Sequence, residues 1–194
     1  MAYEAKTVAT WILSKADQKK ISVSPLKLQK LLYYFQGYFI GMAGEKLFDD
    51  PIEAWQHGPV VESVYQEYKE YGNNVITTPE AVVIPQDLDN FVSFVLDEKG
   101  EYTASKLRNM THNEAPYKET YTNDEITFEN LRNYFTPQFW ASDEEDDFEP
   151  SFDSLEEEKK YFSKTLSDEE KRNILDISIS IDEEKRKILE NACL

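Results

Sequence analysis

The chain has 194 residues, of which 40% are hydrophobic and 23 are Tyr or Phe. That is enough apolar material for a packed core and too much for wholesale disorder. The formal net charge of −17 argues against a nucleic-acid binder, whose affinity rests on Lys and Arg displacing counterions, and favours a basic protein partner or solubility alone. Leu31 to Ala43 is the longest apolar-rich stretch, and it is too short to span a bilayer. Met1 to Glu4 lacks the basic start of a secretory signal, and the single cysteine, Cys193, forms no internal disulfide framework. The cytoplasm is the default expectation, with no membrane partner.

In chain order, Ala5, Val8, Ala9, Ile12, Leu13 and Ala16 recur at helical spacing. Ser24-Pro25 reads as an N-cap followed by proline at the first helical position, where the missing N–H costs nothing. The helix that follows, roughly Pro25 to Met42, is amphipathic at Lys27, Gln29 and Lys30 and then apolar on every side through Ile40. A helix without a polar face is buried on all faces, so this one is expected at the centre of the domain. Gly37, Gly41 and Gly44 allow close neighbours or end the helix. Lys46–Phe48 and Ile52–Trp55 flank Asp49-Asp50-Pro51 and suit a small hairpin or two short extended pieces. Gly58-Pro59 reads as a turn that starts a helix, with Val60, Val61, Val64, Tyr65, Tyr68 and Tyr71 carrying its periodicity as far as Gly72. Val75–Thr78 and Val82–Ile84 are β-prone but short. Further helices are expected from Leu88 to Gly100, from Ala104 to Met110 and from Ile126 to Phe135.

Charge divides the chain. Residues 1–138 hold 13 Lys and Arg against 20 Asp and Glu, and residues 139–194 hold 8 against 18. The expected organisation is therefore a helical domain over 1–138 and an acidic extension over 139–194, with a linker at 142–153 and short helices beyond it. Within the extension, residues 168–175 recur at 182–189 with seven of eight positions matching. An offset of two heptads places Ile174, Ile181 and Ile188 on one stripe of a continuous helix, whereas Ile177-Ser178-Ile179-Ser180-Ile181 alternates like a strand. The two patterns stay open, with two short helices joined by an extended piece as the expectation.

Enzyme motifs are missing. None of the six glycines forms a phosphate-binding loop, and Cys and His together number three. Asp49, Asp50 and Glu53 near His57 resemble a carboxylate cluster, but two acids before a proline are ordinary turn chemistry. His112, at an expected helix end, suits capping. No catalytic residue, cofactor or metal is expected.

Three blocks of sequence also resemble a known family. Pro25-Leu26-Lys27-Leu28-Gln29-Lys30-Leu31-Leu32-Tyr33-Tyr34 is similar to the opening signature of Panacea (SocA-like) domains. Leu47-Phe48, the run from Ile52 to Val61, Tyr65 and Tyr71-Gly72 follow at suitable distances. Ala104 to Tyr117 resembles the family's Leu-x-x-x-Thr-His-x-Glu-x-Pro-aromatic segment, and Ile126 and Tyr134-Phe135 close the resemblance, which covers about residues 3–137. Two positions depart from it, Tyr117 where tryptophan is usual and His57 where another aromatic is common. The resemblance implies a mainly α fold (α+β) built round a buried central helix with a small β-hairpin. It further implies a non-catalytic antitoxin that neutralises a toxin encoded nearby by protein contact, in some cases with delivery to a protease; an adaptor or acidic decoy is the alternative. Tyr33, Trp55, Gly58, Pro59, Tyr65 and Thr111 are expected to build the scaffold. Lys27, Lys30 and His112, with Phe148 and Phe152 of the extension, are the candidate partner contacts.

Overall fold

The computed structural model describes residues 2–77 and 82–140, apart from the side chains of Asp87 and Trp140. The linker at 142–153, Phe148, Phe152 and the duplicated segment all lie outside the described residues. Seven α-helices and one two-stranded antiparallel hairpin make up the regular structure of the described residues, with a short 3-10 turn at Lys69–Tyr71. None of the helices there is long and apolar enough to cross a membrane.

Helix α1 (Ala5–Gln18) buries Ala5, Val8, Ala9, Ile12, Leu13 and Ala16, the stripe that the periodicity marks, and Trp11 besides. Its first free N–H, on Ala5, is capped from a distance, because Asp50 Oδ2 accepts it at 2.9 Å while Oδ1 accepts from Ser63 Oγ at 2.6 Å. The two acids before Pro51 thus form more than a turn, since one of them ties three segments together. Helix α2 (Pro25–Ala43) runs through the core, with every residue from Lys27 to Gly41 buried. It ends at Gly44, which takes a left-handed φ of 70°.

The hairpin lies later in the chain than the expected one. Strand β1 (Glu53–Trp55) pairs with β2 (Gly58–Val60), and Glu53, Ala54 and Trp55 face Val60, Pro59 and Gly58. Lys46–Phe48 has another partner: Tyr3 donates its N–H to Leu47 O at 2.8 Å. Gly58-Pro59 therefore does not start a helix. Gly58 has a φ of 97°, which only glycine tolerates cheaply, and this lets Gln56-His57 close the hairpin. Helix α3 (Glu62–Tyr68) begins after the strand.

Helix α4 (Gln86–Lys99) packs on α1 and is bridged to it by Lys15–Asp89 at 2.6 Å and Lys19–Asp97 at 2.7 Å. Residues 75–77 form no strand, although Ile76 N–H bonds to Val23 O at 2.9 Å. Helix α5 (Ala104–Asn113) is capped by Thr103, and a break at Glu114 leads into the single turn of α6 (Ala115–Lys118). Helix α7 (Phe128–Trp140) lies along α2. A Cβ built on Gly37 would stand 2.2 Å from the Phe135 ring, and one on Gly41 would stand 2.8 Å from Phe139. These two glycines form a slot that admits the α7 aromatics. Helix α7 thereby carries Phe139 and Trp140, which composition assigns to the extension.

Candidate functional site

Helix α2 presents polar groups where its surroundings are otherwise apolar, and each holds loop backbone. Lys30 is fully buried, and its Nζ donates to Pro59 O at 2.7 Å. Burial, reinforced by the nearby Arg108 charge, pushes the Lys30 amine down to about 7. Gln29 Oε1 accepts from Val61 N at 2.8 Å. Lys27 Nζ reaches Gly100 O at 2.6 Å and Ser22 O at 3.1 Å, and burial lowers its pKa against the opposing pull of Glu101. Farther along, Gln36 bonds the backbone of Leu47 and Phe48. Such bonds satisfy buried groups that would otherwise cost free energy.

The hairpin is thus tied down on its α2 side, and α5 closes the other side. A Cβ on Gly58 would lie 2.8 Å from Lys30 Cε and 3.1 Å from Thr111 Oγ1, so only glycine fits between the two side chains. Thr111 is fully buried and donates back to Arg108 O at 3.0 Å. The ring nitrogens of His112 face two carbonyls, Arg108 O at 2.7 Å and Gln56 O at 3.2 Å. Its ring lies 4.4 Å from that of Tyr117, whose hydroxyl donates to Trp55 O at 2.8 Å. Trp55 in turn meets Tyr65 edge-on at 5.2 Å and donates its indole N–H to Glu53 Oε2 at 2.7 Å. Trp55, Tyr65, His112 and Tyr117 are all partly exposed, two ring pairs joined at the hairpin by the Tyr117–Trp55 hydrogen bond, and together they form an aromatic face there.

Behind that face, Tyr34 donates to Glu114 Oε1 at 2.7 Å. Burial pushes the Glu114 carboxyl up, against the pull of both tyrosines and of Lys99. Burial and then the Glu114 charge raise the Tyr33 and Tyr34 phenols far above their usual range, and burial takes Tyr134 up to about 12. The Tyr33 hydroxyl and Glu114 Oε2 are buried, and neither has an aligned hydrogen-bond partner among the described residues. Lys99 Nζ caps this group from above, 5.1 Å from the Tyr34 ring centre.

Three stretches distant in sequence, the start of α2, the hairpin and the α5–α6 junction, therefore meet at one place. Residues 28–118, which contain nearly all of this arrangement, match the family model described as the antitoxin SocA-like, Panacea domain. This stretch of the chain is similar to a SocA-like Panacea domain. The chain is 32% identical over 122 residues to the Antitoxin SocA of Caulobacter vibrioides (strain NA1000 / CB15N), an alignment that covers 56% of this chain and 65% of that relative. The chain thus spans slightly less than two thirds of the length of the curated relative it matches. No solved structure matches.

Within the matched region, the structure brings Lys30, Gly58, Pro59 and Thr111 into direct contact, with Trp55 and Tyr65 on the outer side of the hairpin. Tyr33 lies deeper, against Phe135 and Tyr34. The Lys30 ammonium is enclosed and reaches no outer surface, and Lys27 is nearly as buried; both end on backbone carbonyls of the domain itself. His112 alone of the three polar candidates borders the exposed face. Reasoning from sequence singled out neither Gln29 nor Glu114 as members of the site. The signal was there for Gln29, a polar residue beside two lysines in a helix too apolar to have a wet face. Glu114 bonds a tyrosine 80 positions earlier, and no local pattern reveals that.

Proposed function

We propose that this protein is a non-catalytic antitoxin that neutralises a cognate protein toxin by direct binding. The observation that carries the reading is the match of residues 28–118 to the SocA-like Panacea domain, together with a 32% identical relative named as an antitoxin. The aromatic face at the hairpin tip supports a protein partner, because half-buried Trp and Tyr anchors supply much of the affinity at protein interfaces. In this reading His112, Trp55 and Tyr117 meet the toxin, while Lys27 and Lys30 act from within by fixing the loops that shape the face. The acidic extension, net −10 over residues 139–194, steers a basic toxin, and Phe148 and Phe152 anchor it.

The test is co-expression of the chain with its genomic neighbour, scoring both growth rescue and co-purification. Rescue with a stable stoichiometric complex is expected. Rescue without a complex points instead to delivery of the toxin to a protease. Absence of rescue with any neighbouring product contradicts the antitoxin role.

A further inference from the structure

Strand β1 alternates, with Ala54 buried and Glu53 and Trp55 turned outward. Glu53 stands opposite Glu125 in an isolated antiparallel bridge. Residues so paired project to the same face with their Cβ atoms about 5 Å apart, and like charges placed this way repel. Among the described residues neither carboxylate has an ion-pair partner; the lysines in ion pairs there serve Glu67, Asp89 and Asp97. The repulsion is thus left standing beside the partly exposed Trp55 and Tyr65 rings, with the exposed Glu62 one helical turn before Tyr65.

Carboxylates and aromatic faces have one ligand chemistry in common. Both attract cations, and a guanidinium satisfies the two together by donating in its plane to carboxylate oxygens while stacking flat on a ring. A lysine ammonium would use the charge but not the planar fork. The basic residues Lys106, Arg108 and Lys118 belong to α5 and α6, not to β1 or α3. Strand β1 and helix α3 carry no Lys or Arg of their own to compete with an incoming cation. Long-range steering by the chain's net charge of −17 acts in the same sense.

We propose that the outward side of β1, formed by Glu53, Trp55 and Glu125 with Tyr65, docks an arginine-bearing segment of the partner protein. This rests on the reading of the partner as a protein that meets the hairpin face, and it adds the chemistry of what that partner presents.

The test uses the full chain and a short Gly-Arg repeat peptide, followed through the indole N–H resonances in nitrogen-15 spectra. At about 0.15 M salt, where distant charges are screened, the Trp55 resonance shifts saturably while that of Trp11 stays in place. A peptide with citrulline in place of each arginine binds at least about tenfold more weakly. The double variant Glu53→Gln/Glu125→Gln, checked for an otherwise superimposable spectrum, weakens binding at least about fivefold. An unmoved Trp55 resonance, equal binding of the citrulline peptide, or full affinity in the double variant overturns the proposal. Growth rescue separates the two readings. Peptide binding at Trp55 without rescue by any form overturns the antitoxin role alone, and rescue that is undiminished in the double variant overturns the arginine docking alone.

Discussion

The two ends of helix α2 are buried equally well but by different means. Toward its carboxyl end, Tyr38, Gly37 and Gly41 meet Phe135 and Phe139 in a dry seam of edge-to-face rings. Toward its amino end, Lys27, Gln29 and Lys30 are just as enclosed, yet they spend their burial on hydrogen bonds to loop carbonyls and amides. The dry seam is where apolar area and ring packing stabilise the domain. Polar bonds add less net stability, but they fix where the hairpin and the α4–α5 loop sit. The outward face assigned to the partner is built on the polar end.

The largest effect should come from breaking the dry seam. Gly37→Val drives a side chain into the Phe135 ring, and a loss of about 3 kcal/mol is expected in urea denaturation. Trimming the ring as well, in Gly37→Ala/Phe135→Leu, should restore part of what Gly37→Ala alone loses, because the two residues share one space.

The polar end should be sensitive to pH instead. Burial holds Lys30 near 7 in the folded chain, against 10.5 for a free side chain. Below pH 7 the amine is charged in both states, and folding bears the whole cost of burying it. As pH rises from about 7 toward 10 the folded state releases its proton first, so stability climbs, by on the order of a few kcal/mol. The buried tyrosines, with raised pKa values, oppose this only above about pH 10, where unfolded phenols ionise. Denaturation of the wild-type chain between about pH 7 and 9.5 should show this rise, and Lys30→Met should flatten it. An equal slope in the variant would mean that Lys30 is not the group responsible.

A smaller effect is expected away from both ends of α2. Asp50→Ala removes the cap of α1 and the bond to Ser63, for about 1–2 kcal/mol in thermal or urea unfolding.

The same contrast explains how much was legible in the sequence. The dry end of α2 announced itself, since a run from Leu31 to Ile40 with almost no polar residue has only one place to go. The polar end looked like an amphipathic surface turn, because Lys27 and Lys30 find their acceptors in Gly100 and Pro59, which local pattern cannot foresee. The hairpin was misplaced by a few residues for a related reason. Proline is a poor strand former, and Pro59 is accommodated where Gly58 takes a positive φ and Lys30 donates to the proline carbonyl. Asp50 was readable as a turn residue, but not as the cap of a helix 45 positions earlier. Of the site, the three blocks could be recognised by resemblance, whereas their meeting at one face is a property of the fold.

The central claim is that the face over the hairpin meets a protein partner. Hydrogen–deuterium exchange of the purified full chain, alone and in complex with the product of its neighbouring gene, tests this most directly. The account predicts slowed exchange at residues 53–60 and 104–118 in the complex. A stable complex that leaves both segments unprotected would contradict it.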